Sequence, residues 1–255
     1  MEGKLPLSVA IITRDEEANI AACLSSVAFA DDIVVVDSGS NDDTVKIAEG
    51  FSCRVFVEEW NGYGAQKNSA IEKCRHRWVL IIDADERVPA ESVPAIERAI
   101  GGEQAQAYSF RRKNYLHGRW MRHSGYWPDR QIRLVDRGKG TFRAAIHERW
   151  ETVGRVAELD ACIDHYGFSG YSDMLKTMND YSTLCAKEMY ASGRRAGPLA
   201  PALHGVGMFL KIYILKKGFL DGMDGLVTAL TKAGGAFFKY AKLIELENAD
   251  KKQAP

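Results

Sequence analysis

The first hundred residues alternate short aliphatic runs with segments in which apolar residues recur at helical spacing. The runs include LSVAIIT, IVVVD and WVLIID, and their unbroken apolar character is typical of strands buried on both faces of a sheet. Helical spacing follows each run, as in YGAQKNSAIEKCR, and Asp15 to Glu17 lie at the predicted start of the first helix. This alternation predicts an α/β fold with parallel strands joined by crossover helices.

The pattern changes after the fourth strand and its helix. From Gln106 to His165 the chain has short strand-like segments rich in arginine and aromatic residues, with turn signals between them. From Ser169 onward apolar residues recur at helical spacing, with one interruption at RRAGPLAP. We therefore predict an α/β unit with a mixed sheet over residues 1–168 and a helical C-terminal region over residues 169–255.

Composition narrows the class of protein. The chain has 255 residues, 46% of them hydrophobic, which is enough for a compact enzyme. Its 34 lysines and arginines balance 34 aspartates and glutamates, so the overall charge indicates no nucleic-acid partner. Five scattered cysteines and an N-terminal apolar stretch too short for a signal peptide indicate a protein of the reducing cytoplasm, without export or an N-terminal anchor.

Carboxylates follow two of the predicted strands. Asp37 ends IVVVD, Asp83 ends WVLIID, and Asp85 comes two residues later. Ligands of parallel α/β sheets bind beyond the carboxyl ends of the strands, and carboxylates that converge there repel one another unless a cation lies among them. Mg²⁺ or Mn²⁺ meets that requirement. For the Asp-Ala-Asp tripeptide taken alone, the alternative is a solvated turn.

Four segments, in this order and spacing, resemble the family 2 glycosyltransferases: VAIITRDEEANI, DDIVVVDSGSNDDT, NGYGAQKNSAIEKC and VLIIDADERV. That family consists of inverting enzymes with the type A fold, a Rossmann-like fold that binds nucleotide-diphospho-sugars. WPDRQIRLVDRGKGTF, IHERW and IDHYGF resemble its subgroup of bacterial lipopolysaccharide core glucosyltransferases. The resemblance implies a nucleotide-sugar-binding catalytic domain over residues 1–168, which moves a hexose, with glucose as the first candidate, from a UDP-sugar to an inner-core sugar of lipopolysaccharide.

The resemblance also assigns the uridine site. It implies that Thr13 and Glu17, near the end of the first strand, and Asp37, at the end of the second, hold the uridine part of the donor. A carboxylate accepts hydrogen bonds from uracil N3–H or ribose hydroxyls, and a buried acceptor left unpaired is penalised. Gly39 would let the backbone pass close to the ligand, and its alternative role is a turn that needs a positive φ.

Cations for the diphosphate come from two regions. Lys67 lies in the first turns of a predicted helix, from which it reaches a phosphate, and the alternative is a solvated helix lysine. Arg130 and Arg133 carry planar guanidinium groups that suit phosphate oxygens, with salt bridges to acids such as Asp136 as the alternative. The sequence has no GxxxxGK[ST] pattern, which excludes a P-loop.

Alternation along an extended chain sends Asp83 and Asp85 to the same side, so that one ion can meet both. The resemblance gives Asp83 the ribose or a metal-bound water, and makes Asp85 the ligand of the Mg²⁺ or Mn²⁺ that bridges the phosphates. Such an ion neutralises charge on the departing UDP. His165 is the candidate third ligand, with a hydrogen-bonded core histidine as the alternative.

Inversion requires a general base that takes the proton of the acceptor hydroxyl. The candidates are Asp129 in WPDRQIRL, where related enzymes place an acid, and Glu148 in IHERW. Many relatives have an adjacent Glu-Asp pair here, whereas this chain has Pro128 before Asp129. Asp129 is the first choice, and both residues remain candidates.

The tail combines apolar stripes with several lysines, among them Lys211, Lys216 and Lys217. A helix of this kind binds an anionic membrane surface, which suits an enzyme with a lipid-linked glycan acceptor at the cytoplasmic face of the inner membrane. The alternative is that the stripes pack on the catalytic domain or on another subunit of a homo-oligomer.

Other functions fit part of the pattern. An aspartate-nucleophile phosphatase also has Asp-x-Asp after a strand, but there the strand is near the N-terminus, whereas three strands precede it here. A protein that binds a UDP-sugar or a glycan without turnover would keep Asp37 and need no base. A glycosyltransferase with another lipid-linked or protein acceptor would share every donor residue.

Overall fold

The computed structural model describes residues 3–102, 104–143 and 149–253. The chain forms two compact units: Met1–Lys113 with Asp129–Tyr166, and Asn114–Pro128 with Gly167–Pro255. The predicted division at residue 168 separates a catalytic domain from a helical C-terminal region. The two units do not show which segment is catalytic, so this division stays a prediction.

Eleven strands are found in the described residues, and most of them belong to the first unit. They are β1 Leu5–Thr13, β2 Ala30–Asp37, β3 Arg54–Val57, β4 Trp78–Asp83, β5 Glu86–Arg87, β6 Ala107–Leu116, β7 Arg119–Trp120, β8 Asp129–Asp136, β9 Gly140–Arg143, β10 Arg149–Thr152 and β11 Val156–His165. The helices of the first unit are α1 Ile20–Ser26, α2 Thr44–Glu49, α3 Tyr63–Lys73 and α4 Val93–Gly101.

The central sheet has the strand order β3-β2-β1-β4-β8-β6-β11-β5. Strand β1 runs parallel to β2 and β4, and β2 runs parallel to β3. Strand β8 is antiparallel to β4 and β6, and β11 is antiparallel to β5. The predicted α/β fold with a mixed sheet is therefore confirmed.

Both faces of β1, β2 and β4 are largely buried, which explains their continuous apolar sequence. In β1, Val9 and Ile11 pack into the core that also contains α1 and α4, whereas Ala10 and Ile12 pack into the core with α3. Successive side chains of a strand point to opposite faces, so a sheet covered by helices on both sides needs apolar residues at every position.

The predicted helix start at Asp15 to Glu17 is wrong, because α1 begins at Ile20 and has no acidic residue in its first turn. Asp15 has a positive φ, and its carboxylate accepts a hydrogen bond from the Asn41 N–H at 2.8 Å. Glu17 likewise accepts from the Asp43 N–H at 3.1 Å. These carboxylates satisfy backbone donors of the loop after β2, so they join two loops at the edge of the sheet.

The second unit is helical apart from the short β6–β7 pairing. Its helices are α5 Tyr171–Ala191, α6 Ala200–Leu210 and α7 Gly222–Gln253. A π-helical turn, Lys211–Leu215, continues α6, and a 3₁₀ turn, Gly218–Asp221, leads into α7. Helix α7 packs against both α5 and α6. The predicted helical C-terminal extension is confirmed, and no helix in the described part of the chain has the length and apolar character needed to cross a lipid bilayer.

Candidate functional site

The parallel strands bring the predicted donor residues to one edge of the sheet. Thr13 of β1 is the register partner of Asp37 of β2, and Ile12 is the partner of Asp83 of β4. The carboxyl ends of three neighbouring strands therefore lie side by side, in the position where α/β sheets bind their ligands.

Asp37 shapes the loop that follows it. Its side chain is fully buried, and one carboxylate oxygen accepts the N–H groups of Gly39 and Ser40, each at 2.8 Å. The Ser40 hydroxyl donates to the other oxygen. Gly39 has φ +80°, a conformation that disfavours residues with a side chain. The loop thus supplies a structural reason for both residues, alongside their predicted contact with the donor.

Two buried hydroxyls at this edge have no hydrogen-bond partner in the described residues. Thr13 Oγ1 and Ser38 Oγ make no hydrogen bond to any described residue, although each atom is shielded from solvent. An unsatisfied buried polar group costs about 1–3 kcal/mol, so a polar ligand that bonds to these hydroxyls would recover that free energy. Glu17, by contrast, is exposed.

Asp83 lies between two buried cations. Lys67 Nζ is 3.2 Å from Asp83 Oδ1, and Arg133 Nη2 is 2.8 Å from Asp83 Oδ2. Lys67 is only 3% exposed and Arg133 only 4%, so Lys67 is not a solvated helix lysine. Burial by itself would raise the pKa of Asp83, but the charges of Arg133 and Lys67 hold that pKa well below its ordinary value.

Further charged residues extend this pairing into a chain. Glu86 is fully buried and accepts hydrogen bonds from Arg133 at 2.6 Å and from Arg112 at 3.2 Å. Arg112 also donates to Asp129 at 2.8 Å. We name this set the charge chain, and its members are Lys67, Asp83, Arg133, Glu86, Arg112 and Asp129. Three cations thus balance three carboxylates, which offsets the cost of their burial.

The antiparallel half of the sheet builds the charge chain. Arg112 of β6 is the register partner of Asp129 of β8. Tyr108 pairs with Leu134 and Ser109 with Ile132, so that Arg133 is an extra residue at a β-bulge. A bulge redirects side chains, and here the guanidinium of Arg133 meets Asp83.

Arg130 takes a different position from Arg133. Its guanidinium bonds to Glu158 at 2.8 Å, and both side chains are about half exposed. Asp136, the acid suggested as an alternative partner for the arginines, instead pairs with Arg77 at 2.7 Å. The structure thus brings Arg133, but not Arg130, into the charge chain.

Arg133 and Arg130 are a matched pair for testing the buried charges. We expect Arg133→Met to lower the free energy of unfolding by about 3–5 kcal/mol, because Asp83 and Glu86 would each lose a buried partner. Arg130→Met should change stability little, because exposed ion pairs contribute little. Urea unfolding of both variants measures the difference, and equal unfolding midpoints would contradict the importance of the charge chain.

Asp85 and His165 meet at the end of β4. Asp85 Oδ2 is 3.3 Å from His165 Nε2, and the Tyr166 N–H donates to the Asp85 carbonyl at 2.9 Å. Antiparallel pairing of β11 with β5 places His165 opposite Glu86, which brings it to Asp85. The other oxygen, Asp85 Oδ1, is buried without a hydrogen-bond partner in the described part of the protein.

This donor set fits a hard divalent cation. A carboxylate oxygen without a partner and an imidazole nitrogen are ligands that Mg²⁺ or Mn²⁺ accepts, with substrate phosphates and water supplying the rest. Within residues 3–102, 104–143 and 149–253, no three His, Cys, Asp or Glu side chains form a ready cluster for a metal. Asp83 faces Lys67 and Arg133 instead, so a complete site here needs ligands from the substrate.

The structure describes one of the two candidate bases, Asp129. Asp129 is about one-fifth exposed, and its carboxylate is oriented by Arg112 and by the Gln131 amide, which donates at 2.9 Å. Glu148 lies outside the described residues.

The sequence interpretation did not assign a role to Glu86 or Arg112. The sequence feature that could have pointed to them is a charged residue within or next to a strand-like segment, as in IIDADER and AYSFRRKNYL. Their partners lie on strands whose order and register the sequence does not reveal, so the charge chain could not be assembled from the pattern alone.

A mixed sheet with a polar, charged edge at the ends of its parallel strands fits the type A glycosyltransferase fold. Residues 8–152 match the family described as Glycosyl transferase family 2, and the chain belongs to that family. The predicted family is confirmed.

Two relatives match almost the whole chain. It is 32% identical to the lipopolysaccharide core biosynthesis glycosyltransferase LpsC of Rhizobium meliloti, over 95% of this chain and 93% of the relative. It is 30% identical to an uncharacterized glycosyltransferase of Rickettsia typhi, RT0209, over 94% of this chain and 87% of that one. A solved structure, S. aureus TarS, is similar with a TM-score of 0.50 at 17% identity, over 89% of this chain and 55% of that one, which shows the fold alone.

Proposed function

We propose that this protein is an inverting hexosyltransferase that moves a hexose, with glucose as the first candidate, from a UDP-sugar to an inner-core sugar of lipopolysaccharide. The observation that carries the proposal is the Asp85 carboxylate: in the described residues its buried Oδ1 has no hydrogen-bond partner, and its Oδ2 is 3.3 Å from His165 Nε2. Asp83, two residues earlier, pairs with the buried cations Lys67 and Arg133. Support for the acceptor comes from the name of the Rhizobium relative, which is a lipopolysaccharide core biosynthesis enzyme.

The uridine end of the donor would lie over the strand ends of β1 and β2. Thr13 Oγ1 and Ser38 Oγ offer hydroxyls that no described residue engages, and the Asp37 carboxylate, which accepts three hydrogen bonds, has a further lone pair for a uracil N–H or a ribose hydroxyl. Gly39 keeps the adjoining backbone free of a side chain. Glu17, although exposed, lies on the loop that is bonded to the same turn.

The diphosphate would meet cations that are already in place. Lys67 and Arg133 are held rigidly by Asp83, so little side-chain entropy is lost when phosphate oxygens approach. Asp85 and His165, with Asp83 beside them, would hold Mg²⁺ or Mn²⁺. When bound, that ion would act as a Lewis acid that neutralises charge on the departing UDP. Arg130 remains a donor-binding candidate, at the exposed pair with Glu158.

The acceptor hydroxyl would be deprotonated by Asp129 or by Glu148. Asp129 stands at the end of the charge chain, where Arg112 and Gln131 fix its orientation. Such positioning is what a general base requires, because it must lie within hydrogen-bond reach of the proton it removes.

The proposal is tested by UDP release from a panel of UDP-sugars, with and without Mn²⁺, in the presence of lipopolysaccharide core acceptors. We expect metal-dependent release from one UDP-hexose, with UDP-glucose as the first candidate, and release that rises when the acceptor is added. Donor binding without release under any condition would favour a binding protein, and release with another acceptor class alone would overturn the lipopolysaccharide assignment. Absence of UDP binding would contradict the donor site.

A further inference from the structure

An exposed apolar stripe runs along α6 in the second unit. Its members are spaced by four, three and four residues, so they share one side of the helix, and they are 51–69% exposed: Leu199, Leu203, Val206 and Leu210. The opposite side of α6 is buried at Pro201 and Gly205. No residue from 196 to 210 carries a formal charge. Helix α6 is thus buried on one side, and no described residue covers the apolar stripe on its other side.

Exposed apolar residues continue where α6 turns into α7. We name this group the apolar tip; its members are at least 48% exposed, and Leu215 reaches 75%: Ile214, Leu215, Phe219, Leu220 and Met223. Contiguous exposed apolar surface of this kind is uncommon on a soluble monomer and marks a binding surface.

The charge around the apolar tip is one-sided. Lys211, Lys216 and Lys217 are exposed, and in the described residues none of them forms an ion pair within 4 Å. From residue 196 to residue 223 the single acid is Asp221. Asp221 is buried and engaged by the Ser124 hydroxyl at 2.9 Å and by His123. The exposed charge here is therefore positive.

We propose that the apolar stripe and the apolar tip, together with these three lysines, form a docking surface for an anionic lipid bilayer. Leucine and phenylalanine side chains enter the boundary between headgroups and acyl chains, while lysines meet anionic headgroups. Charge complementarity favours this occupant over a second copy, because a symmetric dimer through this face would bring together two sets of lysines without an exposed acid in the segment. The proposal stands independently of the transferase reaction.

Flotation of the full chain with vesicles tests the proposal. We expect the protein to float with vesicles of phosphatidylglycerol and phosphatidylcholine in equal parts, and to remain at the bottom with phosphatidylcholine alone. Added salt should weaken binding, because exposed charges are screened. Sedimentation to the bottom with both kinds of vesicle would overturn the proposal.

Two variants separate the apolar and the charged contributions. Leu215→Asp with Leu220→Asp should lower partitioning at least about tenfold for each leucine, since each loses the burial of a large side chain. Lys216→Gln with Lys217→Asn should lower it about 30-fold, at about 1 kcal/mol for each lysine. Asparagine is chosen because Lys217 has φ +54°, a conformation that asparagine tolerates.

Matched controls come from the first unit. Val153→Asp and Lys46→Gln change an exposed apolar residue and an exposed lysine outside the docking surface, and they should leave partitioning unchanged. Unfolding midpoints of all variants show whether the fold persists. Equal losses in the controls would overturn the assignment to this surface. Loss of self-association, rather than of vesicle binding, in the leucine variant would assign the surface to a second copy instead.

Discussion

Asp85→Ala is expected to lower the turnover of the UDP-sugar by about a thousandfold, even with saturating Mn²⁺. In the described residues, the Asp85 carboxylate has one buried oxygen without a hydrogen-bond partner and one beside His165, so it is the strongest candidate ligand at the edge of the sheet. Removing it would leave His165 and Asp83, and the Asp83 carboxylate is already engaged by Lys67 and Arg133. The charge that develops on the departing UDP would then be poorly neutralised.

Calorimetric titration of Mn²⁺ in the presence of UDP gives a readout apart from activity. Binding should weaken strongly in Asp85→Ala and less in His165→Asn, because the carboxylate carries the charge. Asp160→Ala is a suitable control, since Asp160 is an exposed aspartate of the same unit and pairs with Arg111. Unchanged Mn²⁺ binding and turnover in Asp85→Ala would contradict a metal site at this position.

The parallel half of the fold was predictable from the sequence because the burial of each strand determines the apolar pattern within that strand. Strand β4 spans Trp78–Asp83, the run that the apolar pattern marks, and Asp37 ends β2 as expected. Buried parallel strands need apolar residues on both faces, so the pattern stops where the strand leaves the core. The polar residue at that point is then at the edge where ligands bind.

The charge chain could not be predicted from the sequence pattern, because it depends on the order and register of strands that are distant in sequence. Glu86 of β5 and Arg112 of β6 are 26 residues apart in sequence, and their strands are separated in the sheet by β11. The bulge that directs Arg133 toward Asp83 has no sequence signal that distinguishes it from regular alternation. Strand order and bulges of this kind are set by tertiary packing.

Lys67 shows how burial changes the interpretation of a single residue. The sequence offered a phosphate-binding lysine or a solvated one, since both belong in the first turns of a helix. Helix α3 packs on the sheet, with Gln66 and Lys67 on its buried side. A lysine so buried needs a carboxylate, and Asp83 supplies it. The solvated alternative is therefore wrong, and contact of Lys67 with the diphosphate stays a prediction.

Asp129→Asn is expected to lower the rate of sugar transfer by about a thousandfold while leaving UDP binding nearly unchanged. Asparagine has almost the same shape as aspartate, and its one carbonyl oxygen can still accept the hydrogen bond from Arg112 or the one from Gln131. The amide cannot, however, take the proton of the sugar hydroxyl that attacks the donor. Single-turnover transfer measured with saturating donor reports this loss, because it separates chemistry from binding.

Glu148→Gln is the matched comparison, since it makes the same change of carboxylate to amide in the other candidate base. If Asp129 is the base, Glu148→Gln should retain most of the transfer rate. The opposite result would assign the base to Glu148, and an unchanged transfer rate in both variants would contradict catalysis by either residue. Because Asp129 also pairs with Arg112, the unfolding midpoint of Asp129→Asn is needed as well: a loss of transfer at an unchanged midpoint is chemical, whereas a lowered midpoint would indicate that the charge chain itself has been disrupted.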